Sequence, residues 1–292
     1  MLKPAVVIVV AYVVAGAVAL GVGYGFRAQH PLVILAAADT AATAVIFVFS
    51  VAAKNSSCYD PYWSVAPVPI ALFWLLQQGS SGFGSLRHVV VFTLICLWAI
   101  RLTYNWASQW KGLSHEDWRY RDMQAQTGRF YWPVSFLGIH FFPTVLVFLG
   151  CLALWPALSG AKQGFNWLDV VALVVTGGAI AIEATADVQM RRFRRSVKMS
   201  VETEAGGLWR YSRHPNYFGE VLFWWGLFLF GLAADASFWW VIIGPLGMLG
   251  LFLFISIPMM EKHLLPRRPG YAAYQQQVSA FVPWLRKGGA SG

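Results

Sequence analysis

The residues 212–220, Ser-Arg-His-Pro-Asn-Tyr-Phe-Gly-Glu, place an arginine, a histidine, an asparagine and a glutamate at the mouth of the apolar run VLFWWGLFLFGLAA. Polar side chains beside lipid are costly, and ionisable ones there are usually functional. Proline at 215 pushes His214 away from the α region, so the next helix is expected to begin here. Asn216 then stands at a helix N-terminus, where free N–H groups and the dipole favour anions, and its side chain is expected to cap the helix. Glu220 lies one turn further in. Upstream, EATADVQMRRFRRS (183–196) puts Glu183 and Asp187 four residues apart on one helix face, followed by Arg191, Arg192, Arg194 and Arg195. Arginine grips phosphate with paired hydrogen bonds, and carboxylates beside it suit ribose hydroxyls. Together they point to a nucleotide carrying a diphosphate; the plainer alternative is a basic membrane anchor with a snorkelling acidic pair. Gly206 and Gly207 allow a tight turn or a close backbone approach between the two stretches.

Three further stretches carry polar groups. In NSSCYDPYWSVAP (55–67), Asp60 either caps a helix whose first residue is Pro61, or sits in an apolar setting that keeps its carboxyl protonated and able to donate a hydrogen bond. RLTYNWASQWKGLSHEDWRYRDMQ (101–124) starts with Arg101 inside an apolar segment and continues as an aromatic, charged helix along the membrane interface. MMEKHLLPRRPGYAAYQQQVSAFVPW (259–284) reads as a helix end and a basic tail that folds back over a pocket.

The elements that must hold these groups are membrane helices. Hydrophobic residues make up 58% of the 292, charged residues 12% and aromatic residues 16%, with a mean hydropathy of +0.55. A soluble domain carries roughly twice that share of charge. About 20 apolar residues cross a bilayer core, and eight stretches qualify: about 4–25, 31–53, 61–78 (interrupted by Pro67 and Pro69), 88–109, 132–157, 166–188, 216–234 and 237–260. The first is longer than a signal-peptide core. Lipid-embedded backbone must satisfy its own hydrogen bonds, so these are helices. The expected fold is all-α, a polytopic membrane helix bundle of about eight transmembrane helices. With both termini cytoplasmic, the cytoplasmic pieces hold 18 of the 22 Lys and Arg; Arg27, Arg87 and Lys162 lie opposite and Arg101 within a segment. The +9 net charge is thereby assigned to membrane orientation rather than to nucleic acid. Cys58, Cys96 and Cys151 are far apart, with no CxxC pair and no histidine cluster, so neither a metal site nor a disulfide framework is expected.

GGLWRYSRHPNYFGE, preceded by EATADVQMRRFR and followed by EKHLL, GYAAY and FVPW, resembles the membrane steroid 5α-reductase family, in particular its bacterial branch, a domain of unknown function grouped with the 5α-reductase C-terminal region. The resemblance spans roughly 55–285. The HPNY-x-GE segment is shared with sterol reductases and with isoprenylcysteine and phospholipid methyltransferases. The resemblance implies a seven-helix NADPH-dependent reductase of lipid enones with cofactor entry from the cytoplasm, plus one extra N-terminal helix here. Residues 1–54 then form two N-terminal helices and 286–292 a short polar tail.

Carried over by position, the implied cofactor contacts are Glu183 (an asparagine in the steroid enzymes), Asp187, Arg191, Arg194 and Asn216, with Glu220 matching a motif glutamate and Arg213 and His214 lining the cofactor mouth. The implied substrate pair falls on Tyr59 and Asp60, with Pro67 keeping the spacing. The family's carbonyl-sharing tyrosine falls near Trp98, three residues before Arg101. Aspartate there reaches less far than glutamate, and an indole donates a hydrogen bond without being a proton donor. Near Glu202 the steroid enzymes carry an arginine. The expected catalytic set is Asp60, Tyr59, Trp98 and Arg101, with Tyr62 or Tyr104 assisting. NADPH is the expected cofactor and a lipid-like small molecule the substrate, among membrane lipids, with no nucleic acid and no obligate protein partner, in a bacterial inner membrane. Two alternatives stay open: a methyltransferase using S-adenosylmethionine, which has no phosphate for the arginines to hold, and a non-enzymatic transporter or assembly factor, for which the intramembrane Asp39 is the candidate.

Overall fold

In a computed structural model, residues 3–77, 83–159, 164–195 and 206–286 are described. The expected polar tail, apart from Arg286, and the positions Lys162 and Glu202 lie outside these residues. The long helices are α1 (Pro4–Gly25), α2 (Pro31–Ala53), α3 (Pro67–Leu76), α4 (Leu86–Gln109), α5 (Trp118–Cys151), α6 (Trp167–Arg195), α7 (Pro215–Ala234), α8 (Ala236–Leu264) and α9 (Tyr271–Gln277). No strand occurs among the described residues. Seven helices, all but α3 and α9, are long and apolar enough to cross a membrane. The chain is an all-α, polytopic integral membrane protein.

The expected span 61–78 is the exception. The structure gives one helical turn, Tyr62–Val65, followed by the ten-residue α3, about 15 Å at 1.5 Å per residue. Pro67 and Pro69 sit in the first turn of α3, where a missing N–H costs nothing; the segment is short rather than broken inside. Another departure is α5, which begins at Trp118 instead of 132. The charged stretch read as an interface helix is its first part, Trp118–Thr127. A π-helical turn, Phe136–Phe141, interrupts α5 lower down.

The described chain divides into two compact units: Met1–Phe73 with Trp98–Cys151, and Trp74–Leu97 with Leu152–Gly292. In the first, Ile8, Ala11 and Ala15 of α1 and Ala42 and Ile46 of α2 form a core with Cys58, Tyr59, Tyr62 and Ala66. Polar residues inside it are paired: Tyr62 donates to Asp39 Oδ1 (2.6 Å), and Thr43 and Thr144 bond at 2.9 Å.

In the second unit α6 and α7 pack at very short range. A Cβ on Gly219 would lie 2.4 Å from the Glu183 side chain and 3.1 Å from the Ala179 carbonyl; one on Gly226 would lie 2.1 Å from Thr176 Oγ1. Small residues allow such approach where lipid supplies no hydrophobic drive between helices. Arg87, expected as a loop charge, is buried instead, donating to both Asp169 oxygens at 2.7 Å and to the Gly164 and Ala233 carbonyls. Such a pair is tolerable because every partner is satisfied.

Gly226→Ala is expected to destabilise the protein by about 1–3 kcal/mol, the usual cost of overpacking. Gly21→Ala, whose Cβ meets nothing within 4 Å, serves as the neutral control. Thermal unfolding in detergent reads both, and equal melting points would contradict the close helix contact.

Candidate functional site

The carboxyl of Asp60 is positioned by a polar knot in the first unit. Lys54 ends α2 in the left-handed region (φ 50). Asn55 then caps the turn Ser56–Cys58, accepting from Ser57 N at 2.8 Å, while its amide donates to the Leu113 (2.8 Å) and His115 (3.1 Å) carbonyls. Glu116 accepts from Ser56 N (2.7 Å), and Ser57 Oγ accepts from Asp117 N (3.1 Å). These bonds fix the start of α5, where Asp117 is the N-cap. Tyr120 in the first turn then donates to Asp60 Oδ1 at 2.7 Å.

Asp60 is not the N-cap the sequence allowed. Pro61 occupies that position and no side chain caps the turn, so the carboxyl is left for other work. Burial lifts it to about 7, with the Tyr120 hydroxyl and the Arg119 charge pulling the other way. Burial also raises the neighbouring Tyr59 and Tyr62 phenols and takes the Cys58 thiol to about 11, so these three stay neutral.

Of the expected catalytic residues, Tyr59 is buried and its hydroxyl bonds Thr144 Oγ1 (2.7 Å), with its ring 5.0 Å from that of His140. Tyr62 turns to Asp39, and Tyr104 is exposed. The phenol at Asp60 is therefore Tyr120, which the sequence reading passed over. Its signal was the run His-Glu-Asp-Trp-Arg-Tyr, too polar to be an ordinary membrane-helix start. Trp98 is fully buried in α4, and Arg101 is half-buried one turn later.

The second unit holds the expected cofactor residues. Glu183, Asp187, Arg191 and Arg194 recur at helical spacing along one side of α6. Glu183 is 2% exposed and lies against Gly219 of α7. Arg194 is within electrostatic reach of Asp187, Tyr217 and Arg268. Gly207 takes φ +56, which leaves no room for a Cβ beside Gln189, whose Oε1 accepts from Leu208 N at 2.9 Å. Helix α7 begins at Pro215 with His214 as N-cap and no side-chain cap. Asn216 is thus the second residue of the helix and not its cap. Its Oδ1 is buried without a hydrogen-bond partner among the described residues, a costly state unless a ligand donor reaches it. Glu220 is buried and accepts from Trp224 Nε1 (3.0 Å).

Arg213 and His214 do not line a mouth. Arg213 donates to Glu261 Oε1 (2.6 Å) and Oε2 (3.2 Å) and to the Gln275 (2.8 Å) and Val278 (2.6 Å) carbonyls. His214 Nε2 lies 3.2 Å from Glu261 Oε1, and its ring stacks on Tyr217 at 5.2 Å. Ser212 Oγ donates to the Phe281 carbonyl (2.7 Å). These residues fasten the basic tail to the start of α7, the folding-back anticipated for that tail. Four of the five N–H donors of the guanidinium are spent on protein acceptors.

The family described as "Protein of unknown function (DUF1295)" matches residues 46–278. The chain belongs to this family. The DUF1295 match takes in Asp60, Tyr120, the α6 face and the Arg213 clamp, and starts beyond Asp39. An uncharacterised protein of Schizosaccharomyces pombe is 29% identical over 264 residues, covering 82% of this chain and 76% of its own length. No solved structure matches the chain.

Two expectations follow from the geometry. The Asp60 carboxyl takes its proton at about 7 when folded and at about 4 when unfolded, so the folded state binds more protons between those values. Its contribution to stability is full below about 4, declines as pH rises, and is gone above about 7. Asp60→Asn should flatten that decline in melting temperature; parallel curves would show that the carboxyl is not raised. Arg213→Ala should cost about 3 kcal/mol, the order of breaking a buried pair, and open residues 265–286 to protease. A variant as stable and protease-resistant as wild type would return Arg213 to the ligand-binding set.

Proposed function

We propose that this protein is an integral-membrane, NADPH-dependent reductase of a lipid-soluble α,β-unsaturated carbonyl. The observation that carries the reading is Asp60: a carboxyl able to keep its proton at neutral pH, with one oxygen held by Tyr120. The arginines and acids along α6 and the partnerless oxygen of Asn216 fit the cofactor. The family match supports kinship with 5α-reductase-like proteins.

A reduced nicotinamide held by the second unit's residues would supply a hydride for the β-carbon of an enone. The alkene electrons move to the carbonyl carbon–oxygen unit, and negative charge grows on oxygen. Asp60 donates its hydrogen bond to that oxygen as the charge develops, where a fixed donor lowers the barrier most. Transfer of the proton would give the enol, which returns its hydroxyl proton to the Asp60 carboxylate as the α-carbon takes a proton from solvent, leaving the saturated ketone. Tyr120 keeps the carboxyl turned so that the other oxygen carries the proton. Arg191 and Arg194 would hold the diphosphate, Asp187 and Glu183 would take the ribose hydroxyls, and Asn216 Oδ1 would accept from the nicotinamide carboxamide. The apolar helices supply the environment for a lipid substrate. The cytoplasmic face of a bacterial inner membrane is the proposed location.

Purified protein is expected to bind NADPH in preference to S-adenosylmethionine, and both Arg191→Ala and Arg194→Ala should weaken NADPH binding. Asp60→Asn should keep NADPH affinity and lose about 100-fold in turnover of a lipid enone, within the range of general-acid effects. Selective binding of S-adenosylmethionine, indifferent to the arginines, overturns the reading in favour of methyl transfer.

A further inference from the structure

Asp39 is an ionisable residue inside a membrane helix, and the chemistry proposed above makes no use of it. It is the ninth residue of α2, which puts it about 20 Å from the Ala53 end at 1.5 Å per residue. It is 8% exposed. Its Oδ1 accepts from the Tyr62 hydroxyl at 2.6 Å. Its Oδ2 is buried with no hydrogen-bond partner among the described residues, and no cation pairs with it there. A polar atom so placed costs free energy until something bonds to it, and an ionisable group within the membrane is a functional candidate for that reason. The segment that reaches it is the one that carries Asp60. Residues 55–62 leave the end of α2 and run back along it. Asn55 N donates to the Ser50 carbonyl (2.9 Å), Tyr59 reaches Thr43 through Thr144, and Tyr62 meets Asp39. Asp60 and Asp39 are thus two carboxyls of one unit, and they are built alike. A phenol donates to one oxygen of each: Tyr120 to Asp60 at 2.7 Å, and Tyr62 to Asp39. Tyr12 of α1 joins the two neighbourhoods, donating to the Cys58 carbonyl at 3.1 Å with its ring 6.2 Å from that of Tyr62. The remaining neighbours, among them Ala42, Ile46 and Thr43, are apolar or neutral hydroxyls. Such surroundings suit a small neutral group better than a charged headgroup. A hydroxyl serves a carboxyl in either protonation state, donating to the carboxylate or accepting from the acid.

We propose that Asp39 is a second polar anchor of the substrate site in the first unit, taking a hydroxyl group that the lipid-like substrate carries away from its reacting carbonyl. The inference rests on the reductase reading, in which Asp60 takes the carbonyl, and it narrows the substrate class from a lipid enone to a hydroxylated one. Tyr62 is a positioning residue here: by occupying Oδ1 it leaves Oδ2 for the ligand. The DUF1295 match begins at residue 46, so the anchor stands outside the matched region and sets selectivity without altering the reacting end.

The test is native mass spectrometry of the detergent-purified full chain with long-chain 2-enones and their ω-hydroxy counterparts, over a series of chain lengths, in wild type, Asp39→Leu and Asp39→Asn. At the best length wild type should prefer the hydroxylated member by about tenfold, the scale of one hydrogen bond to a buried partner. Asp39→Leu should lose that preference while keeping its affinity for the plain enone, which shows that it is folded. Asp39→Asn, nearly isosteric and with an amide that both donates and accepts, should keep part of the preference, and it carries the test if Asp39→Leu does not accumulate. A wild type with no hydroxyl preference at any length, a preference unchanged in the variants, or an equal loss for both enones overturns the inference. Stabilisation of wild type by sodium over choline, lost in Asp39→Asn and without a hydroxyl preference, makes the carboxyl a cation site and overturns it as well. No cofactor enters the measurement, so the two readings are scored apart. A hydroxyl preference that depends on Asp39 in a protein that binds no NADPH keeps the anchor and removes the reductase reading; NADPH binding without that preference does the reverse.

Discussion

Lipid neither donates nor accepts hydrogen bonds, and this constraint organises both units of the protein. It makes the spanning segments helical, and it requires each polar side chain among them to have a partner. In the first unit Tyr62 serves Asp39, Thr144 serves Tyr59 and Thr43, and Ser50 meets His140 Nε2 at 3.0 Å. In the second, Arg87 is wrapped by Asp169 and two carbonyls, and Arg213 by Glu261 and two more. The pattern has exceptions among the described residues, where Asp39 Oδ2 and Asn216 Oδ1 are both buried without a hydrogen-bond partner. Asn216 stands in the first turn of a helix that closes against α6 through Gly219 and Gly226.

The same constraint separates two kinds of charged residue that look alike in a sequence. Arg213 and Arg194 are both arginines near a helix end in a basic loop. Arg213 is surrounded by acceptors that arrive from a later part of the chain. Arg194 sits among another arginine, a carboxylate and a phenol. The first surrounding is made of acceptors, whereas the second brings a like charge to the guanidinium.

The helices were legible because hydropathy is a local property: six of the eight expected spans appear close to their expected bounds, and α5 starts earlier and ends at Cys151 rather than at 157. The span 61–78 failed because apolar composition does not fix length, and the helical pieces there are short. The acidic and basic face of α6 was also legible, since helical spacing alone aligns 183, 187, 191 and 194. Long-range pairing was not. Tyr120 reaches Asp60, and Glu261 takes Arg213, across 60 and 48 residues. Nothing in the local pattern at either end names the other. Reading Asp60 and Asn216 as caps failed for a related reason: cap propensity is real, but each helix start had shifted by a residue or two, to Tyr62 and Pro215.

The clamp on Arg213 has a consequence for the order of assembly. Chains are made from the N-terminus, and α7 enters the membrane with Arg213 at its threshold before Glu261, Gln275, Val278 and Ser279 exist. Until those residues emerge, the arginine must stay in water or with headgroups, and the start of α7 is unfinished. A stretch made after α8 is thus the one that locks the helix start beside which Asn216 lies. A chain interrupted before Gln275 would carry α1 to α8 and still leave that threshold open.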